Sequence, residues 1–498
     1  MALTTSVEPI PGAGRSATST EPARPPRRLL FLVALAPALA NADAGIVSLA
    51  LPEIRGELSM TLTGVHWVTN IYVLLVGALQ LLGGRLADLA GARRLFLRAL
   101  AGFALASAAC GAAPTGELLV GARALQALTA AVLVPAAMSL LLAATPGRAQ
   151  RTRALALWAA TGGLGSVAGV LLGGLVVSGF DWRWAFYLNV PLVAAALLMV
   201  RGTALPDPRP LPGTRLDLAG AVTLTGALLA FVYALVRFSE HGGDRTVLHA
   251  LGAGLVLGVL FVLRQRLGRD PLLPRAVLTR LPLVAGAVGI LAVSAATAPV
   301  VFLGSAHLQQ AQQYSPALAG CALLPMVGGI ILVGRGCSRV LARRGPGLPC
   351  AVGAALVAAG LLLLSGLTPA SQYVTGVLPG IALTGAGLPL VWMACEVLAL
   401  TPFTGQHAGL AAGVVQSAGQ LGAALGLALA VAVVNSLATG TTSADGLGTA
   451  FAVSALLVVP ALVVAVVGVR DARSSGTYAS DAGALRTRAT RATRALRT

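Results

Sequence analysis

The sequence predicts an all-α integral membrane protein, on three observations. Hydrophobic types make up 56% of the 498 residues and charged types only 10%. A soluble domain carries roughly a quarter charged residues, so this chain has too few to cover a water-exposed surface. The apolar runs are roughly 18–25 residues long, the length of a helix across a hydrocarbon core of about 30 Å. Membrane strands would instead alternate in segments of about ten residues. The arginines fall mainly in the gaps between the apolar runs.

Fourteen apolar segments are expected to span, near residues 29–52, 65–84, 95–113, 117–144, 155–178, 184–200, 216–236, 246–263, 281–303, 316–334, 347–366, 374–400, 409–436 and 447–469. The first resembles a signal peptide, with Arg24, Arg27 and Arg28 before an apolar run and a small-residue site at Ala38–Ala40. The run continues to Pro52 and is long enough to span, so it reads as an uncleaved helix. The fifth holds Gly165, Gly169, Gly173 and Gly174, a smooth groove for close helix contact. The thirteenth has a similar run, with Gly409, Gly413, Gly422 and Gly426. The flanks, residues 1–28 and 470–498, are polar and read as disordered tails.

All 35 basic residues are arginine, and the formal net charge is +18. A nucleic-acid partner would need a basic face with stacking aromatics; aromatics are 4% here, and no such partner is expected. The arginines set orientation instead. With fourteen spans, thirty fall on one side, including both tails, against four on the other: Arg55, Arg183, Arg237 and Arg245. Both termini are therefore expected in the cytoplasm. A faint repeat relates Gly84–Arg94, after the second segment, to Gly334–Arg344, after the tenth, with Ser338 opposite Asp88. It suggests two six-helix bundles, residues 29–200 and 281–469, with two extra helices inserted over 201–280. Repeated halves about a midplane site are a transporter pattern.

Charged residues inside a membrane are functional candidates by default. Asp43, Arg123 and Glu396 are the three clear ones. At 1.5 Å per residue, Asp43 and Arg123 both sit roughly 20 Å from the cytoplasmic face. Either they pair, or both face a wet cavity. Asp43 is the leading proton carrier; a buried ion pair that only locks two helices is the alternative. Glu396 is either a second coupling group or a side chain snorkelling to the interface. Gln416 and Gln420 share a helix face and can line a polar path or simply bond between helices. The five cysteines are widely spaced, without metal-ligand or disulfide patterns. No paired histidines, nucleophile elbow or phosphate loop points to an enzyme.

These residues carry a resemblance to a known family. Ala42-Asp43 through Ala50-Leu51-Pro52, the stretch Trp67–Leu74, the loop Gly84–Arg94, the helix around Arg123 and Gln126, the glycines 165–174 and the string Trp182–Pro191 together resemble the major facilitator superfamily. Within it they resemble the fourteen-helix drug:proton antiporters of the EmrB/QacA type. The resemblance covers about residues 29–470. It implies a major facilitator fold and proton handling at Asp43 with a relay at Arg123. It also implies a cytoplasmic gate motif at Gly84, Asp88, Gly91, Arg93 and Arg94, and a helix-packing antiporter motif at Gly165, Gly169, Gly173 and Gly174. Leu89 and Ala92 stand where the gate motif is basic, Ala127 where the fourth helix has Gly, and Val170 where the antiporter motif has Pro. Asp88 is expected at the positive N-terminal end of a facing helix, the thirteenth.

The expected protein is a monomeric, multi-pass secondary transporter of the cytoplasmic membrane. It exports a drug-like or antibiotic small molecule against protons, possessing no cofactor or metal and drawing on the proton gradient. Trp67, Gln126, Gln416 and Gln420 are the expected cavity lining. Two other readings stay open: a facilitator or symporter of a single native metabolite, and a non-transporting membrane receptor or scaffold.

Overall fold

The computed structural model describes residues 27–474, apart from 146, 202, 204, 207–216, 242, 269–270, 275–276, 278, 315, 369, 404–406 and 438–442. Both expected tails therefore lie almost wholly outside the described residues. Among the described residues there is no strand. The helices are α1 (Arg27–Glu57), α2 (Leu62–Ala90), α3 (Ala92–Gly111), α4 (Gly116–Ala144), α5 (Arg148–Gly179), α6 (Trp184–Tyr187), α7 (Asn189–Arg201), α8 (Leu218–His241) and α9 (Arg245–Leu267). After the connection come α10 (Leu281–Gln310), α11 (Pro316–Ala322), α12 (Leu324–Arg344), α13 (Gly347–Ser365), α14 (Leu378–Leu400), α15 (Ala408–Leu437), α16 (Ser443–Leu456) and α17 (Val459–Ser474). Among the described residues, eleven helices are long and apolar enough to cross a membrane, with shorter apolar helices at Trp184–Val200 and Leu218–Ala234. This is a multi-pass membrane protein.

Proline marks several of the interruptions. The sixth, tenth and fourteenth apolar segments are each two helices, and Pro191, Pro325 and Pro460 stand in the first turn of the second piece. The twelfth begins as a π-helical turn, Tyr373–Val377, with Pro379 just inside α14. Proline has no N–H to continue the preceding ladder and suits a first turn. Other boundaries move outward. Gly84–Ala90 and Gly334–Arg344, read from sequence as loops, are the last turns of α2 and α12. The break between α2 and α3 is Gly91, whose φ of 91° is open to glycine and strained for other residues.

Helices α1–α7 pack together, as do α10–α17. In the first group a Cβ at Gly165, Gly169 or Gly173 would strike the backbone of Ala38, Ala42 or Ile46, so the glycine groove of α5 seats α1. In the second, Gly422 and Gly426 of α15 let it lie on Leu291 and Ala295 of α10. The groups meet where α2 packs on α15 and α5 on α12. Helix α8 touches both α2 and α15, whereas α9 packs on α8 and is almost wholly exposed. An apolar helix so exposed is one that faces lipid.

Candidate functional site: a neutral cavity beside a buried ion pair

The glycine groove of α5 fixes α1, and α1 then presents Asp43 inward. Asp43 and Arg123 are both fully buried. Arg123 Nη1 donates to Asp43 Oδ2 at 2.5 Å and to Gln126 Oε1 at 2.6 Å, while its Nε donates to the Val68 carbonyl at 3.0 Å. Asp43 Oδ1 accepts from Gln126 Nε2 at 2.8 Å and from Asn189 Nδ2 at 3.1 Å. The same two amides also donate to Ser107 Oγ, at 2.8 and 2.9 Å. The guanidinium lies 4.3 Å from the centre of the Tyr72 ring, a cation–π contact. Of the two arrangements open from sequence, Asp43 and Arg123 adopt the pair.

Sequence reading missed Asn189, Ser107 and Tyr72 as members of this cluster. Asn189 had a signal, as the amide two residues before Pro191 in the tryptophan-rich string. Ser107 had none. It is one serine in an alanine-rich helix, and only the packing of α3 on α4 brings it under Gln126.

A cavity of about 410 Å³ lies between the two groups of helices. Asn41, Tyr72, Gln80 and Trp158 line it from the first group, Trp392 and Gln416 from the second, and the rest of the wall is largely aliphatic and glycine. No charged side chain lines it among the described residues. Its polar groups are amides, indoles and a phenol. Tyr72 Oη and Gln80 Oε1 are buried without a partner among the described residues. Buried polar atoms are normally satisfied, so these two are available to a ligand. A smaller space of about 300 Å³ shares Leu388, Trp392, Gln416 and Gln420 with it and runs on to Ser294 and Thr297 of α10.

Gln416 and Gln420 are thus on the cavity wall. The other two expected lining residues are placed elsewhere. Gln126 is locked in the ion-pair cluster, and Trp67 stacks on Tyr233 of α8 with ring centres 6.1 Å apart. The reason for both is a helix face: sequence gives depth in the bilayer, but not which neighbour a helix turns a side chain toward.

The cavity is crossed off at the arginine-rich end by direct links between the groups. Asp88 accepts the N–H groups of Gly409 and Leu410, both at 2.9 Å, at the first turn of α15. A carboxylate suits the positive end of a helix. Gly84 and Gly409 lie so close that a Cβ on either would overlap the other's carbonyl. Arg151 of α5 donates from Nη1 to the Thr401 carbonyl, just past α14, at 2.7 Å. Gly91 shapes the turn, and Arg93 and Arg94 are exposed on the first turn of α3. Gly174 continues α5, and the side chain of Val170 lies outside the described residues.

Glu396 does not snorkel. It is 1% exposed, and among the described residues neither carboxyl oxygen has a hydrogen-bond partner. At the opposite end, Glu57 accepts from Trp182 Nε1 at 2.7 Å and from Arg183, tying α1 to the α5–α6 turn. That carboxylate raises the pKa of Arg183 and keeps it cationic. Among the described residues, no three His, Cys, Asp or Glu side chains gather as a metal site.

A family model described as Major Facilitator Superfamily matches residues 33–427. The chain is 39% identical over 437 residues to the puromycin resistance protein of Streptomyces alboniger, covering 84% of this chain and 83% of that one. It is 33% identical over 398 residues to a tetracenomycin C resistance and export protein of Streptomyces glaucescens, covering 79% and 73%. With a cephamycin export protein of Amycolatopsis lactamdurans it shares 34% over 417 residues, covering 83% and 86%. Among solved structures, a proton:xylose symporter superposes with a TM-score of 0.64 at 11% identity, covering 89% of this chain and 95% of that one. A human organic anion transporter gives 0.61 at 16%, covering 88% and 99%. These two likenesses are of fold.

Proposed function

Because the chain belongs to the major facilitator superfamily, we propose that it exports an uncharged, drug-like antimicrobial from the cytoplasm in exchange for protons. The observation that carries this reading is the cavity between the two helix groups. Among the described residues it has no charge on its wall, two tryptophans, several amides and two unsatisfied polar atoms. Such a wall takes up apolar, aromatic compounds and orients them through a few hydrogen bonds. An ionised substrate would lose its hydration there without a counter-charge. The antibiotic-resistance and export names of the relatives agree with this choice of substrate class.

In this reading the chain is of the fourteen-helix antiporter type, with both termini and the arginine-rich end in the cytoplasm. Residues 29–200 and 281–469 are the moving bundles, and 201–280 carries the two extra helices. The links at Asp88, Gly84 and Arg151 hold the cytoplasmic end shut, and alternating access breaks and remakes them. Asp43 is the proton carrier. Protonation removes the charge that faces Arg123, and Arg123 keeps Gln126, Val68 and the rings of Tyr72 and Phe186. Tyr72 belongs to both sites: it lines the cavity and lies against Arg123. A substrate touching Tyr72 thereby feels the state of the pair, and that differential affinity is what couples two equilibria.

The test is accumulation of neutral, cationic and anionic antimicrobials in an efflux-deficient host carrying wild type, Asp43→Asn or empty vector, with and without an uncoupler. Lowered accumulation of neutral compounds that both the uncoupler and Asp43→Asn abolish is the expected result. Equal accumulation in all three strains, at good membrane expression, would sink it. Export that survives the uncoupler would instead favour a facilitator of a native metabolite.

A further inference from the structure

Glu396 is a buried carboxyl group outside the Asp43 cluster. On α14, Pro389, Trp392 and Met393 line the cavity. Glu396 follows the last two by four and three residues, so it shares their face one turn nearer the arginine-rich end. Five residues further on, the Thr401 carbonyl takes the bond from Arg151 that joins the two helix groups. Glu396 therefore stands between the cavity and the links that close it.

A carboxylate buried without hydrogen bonds or a counter-ion loses its hydration and gains nothing, and such a group takes up a proton instead. The titratable groups on the neighbouring elements at this end include Arg151 on α5, Cys337 and Arg339 on α12, Cys350 on α13, Cys395 on α14 itself and His407 before α15. None supplies a hydrogen bond to Glu396 among the described residues. We infer that Glu396 is a proton-binding site of the gate: the closed gate holds it as the neutral acid, and opening this end to water releases that proton into the arginine-rich compartment.

The inference rests on alternating access and deepens it. A carrier that closes this end with a proton aboard, and loses the proton when this end opens, moves protons toward the arginine-rich side. That is the direction an exporter driven by proton entry needs. Asp43, already paired with Arg123, serves a different step.

The other titratable gate groups differ from Glu396 in their partners. Asp88 holds two N–H groups across the gate. Burial, then the charge of Arg85, lowers the pKa of His407, so acid favours its exposure and opposes the closing that a neutral Glu396 supports.

The full-length chain in lipid nanodiscs would carry nitroxide labels at Arg94→Cys and Arg339→Cys, both exposed and on opposite helix groups, with the exposed Cys321→Ser. Pulsed electron resonance then reads the closed and open populations from about pH 5 to pH 9. In wild type, the closed-to-open ratio should fall by up to about tenfold per pH unit as pH rises, the slope for one linked proton. Glu396→Gln and Glu396→Leu, both permanently neutral, should lose that fall and stay closed at high pH. The apolar variant guards against a folding defect in the amide. A wild-type ratio that does not fall with rising pH, or a fall that both variants retain, overturns the assignment. No substrate enters the measurement, so failure to find an exported drug is a separate result.

Discussion

Two of the carboxyl groups buried in this protein, those of Asp43 and Glu396, have surroundings that differ in kind. Asp43 receives a guanidinium and two amides, and those amides are in turn oriented by Ser107. Glu396 receives nothing among the described residues. Burial alone does not set the charge of an acid. The donors around it do, because only they replace the water it has lost. The helix group of α1–α7 gathers four polar side chains around one aspartate. Among the described residues the group of α10–α17 brings none to Glu396, the ground on which the neutral acid is assigned there.

Removing a partner is the most forceful way to break that comparison. Arg123→Leu strands Asp43 as an uncompensated charge and should cost about 3–5 kcal/mol of stability. Asp43→Asn in the same chain should restore much of it, whereas Glu396→Leu alone should be nearly neutral, since no partner is orphaned. Thermal unfolding in detergent reads all three. A Glu396→Leu loss as large as that of Arg123→Leu would mean that Glu396 has a charged partner after all.

A smaller effect is expected from geometry. Gly169→Leu drives a side chain into the backbone of Ala42, next to Asp43, and should cost about 1–3 kcal/mol or more and abolish export. Gly258→Leu on α9, where a Cβ meets open space, should do neither. Comparable losses at both positions would show that helix insertion, not the placing of Asp43, is what suffers.

Next comes the gate. Asp88→Asn removes a carboxylate acceptor from two backbone N–H groups, with charge-assisted bonds of about 1.5–3 kcal/mol each at stake. The closed population should drop, as spin-label distances across the arginine-rich end would show. An unchanged population would leave the Gly84–Gly409 contact as the element that holds this end. The smallest effect belongs to His407. Its pKa lies below the usual value of about 6.5, so the unfolded chain binds the proton first and stability falls as pH drops through that window. His407→Gln should flatten that acid limb of the unfolding profile slightly. A limb of unchanged slope would place the acid sensitivity elsewhere.

Much of this was legible beforehand. The long apolar runs placed helix along every expected segment, because a backbone in lipid must satisfy its own polar groups. The spacing of glycines 165, 169 and 173 announced a close helix contact, and the depth arithmetic put Asp43 and Arg123 level with each other. The broken helices at Pro191, Pro325 and Pro460 were also present as prolines, although the apolar average ran across them. Less visible was which way each helix turns. Gln126 and Trp67 had the right depth for the cavity, yet one faces Asp43 and the other Tyr233.

The sequence by itself determined that this chain lives in a membrane as a set of helices, which residues are costly to place there, and which family it joins. Those properties follow from composition, period and short motifs, all of which are local along the chain. Only the tertiary structure decided that Asp43 keeps its partners and that Glu396 has none among the described residues. Asn189 is 146 residues from Asp43, and Gly409 is 321 from Asp88. Hydrogen bonds act over about 3 Å, so a group's partners, and hence its charge, are settled only when packing brings distant segments within that reach.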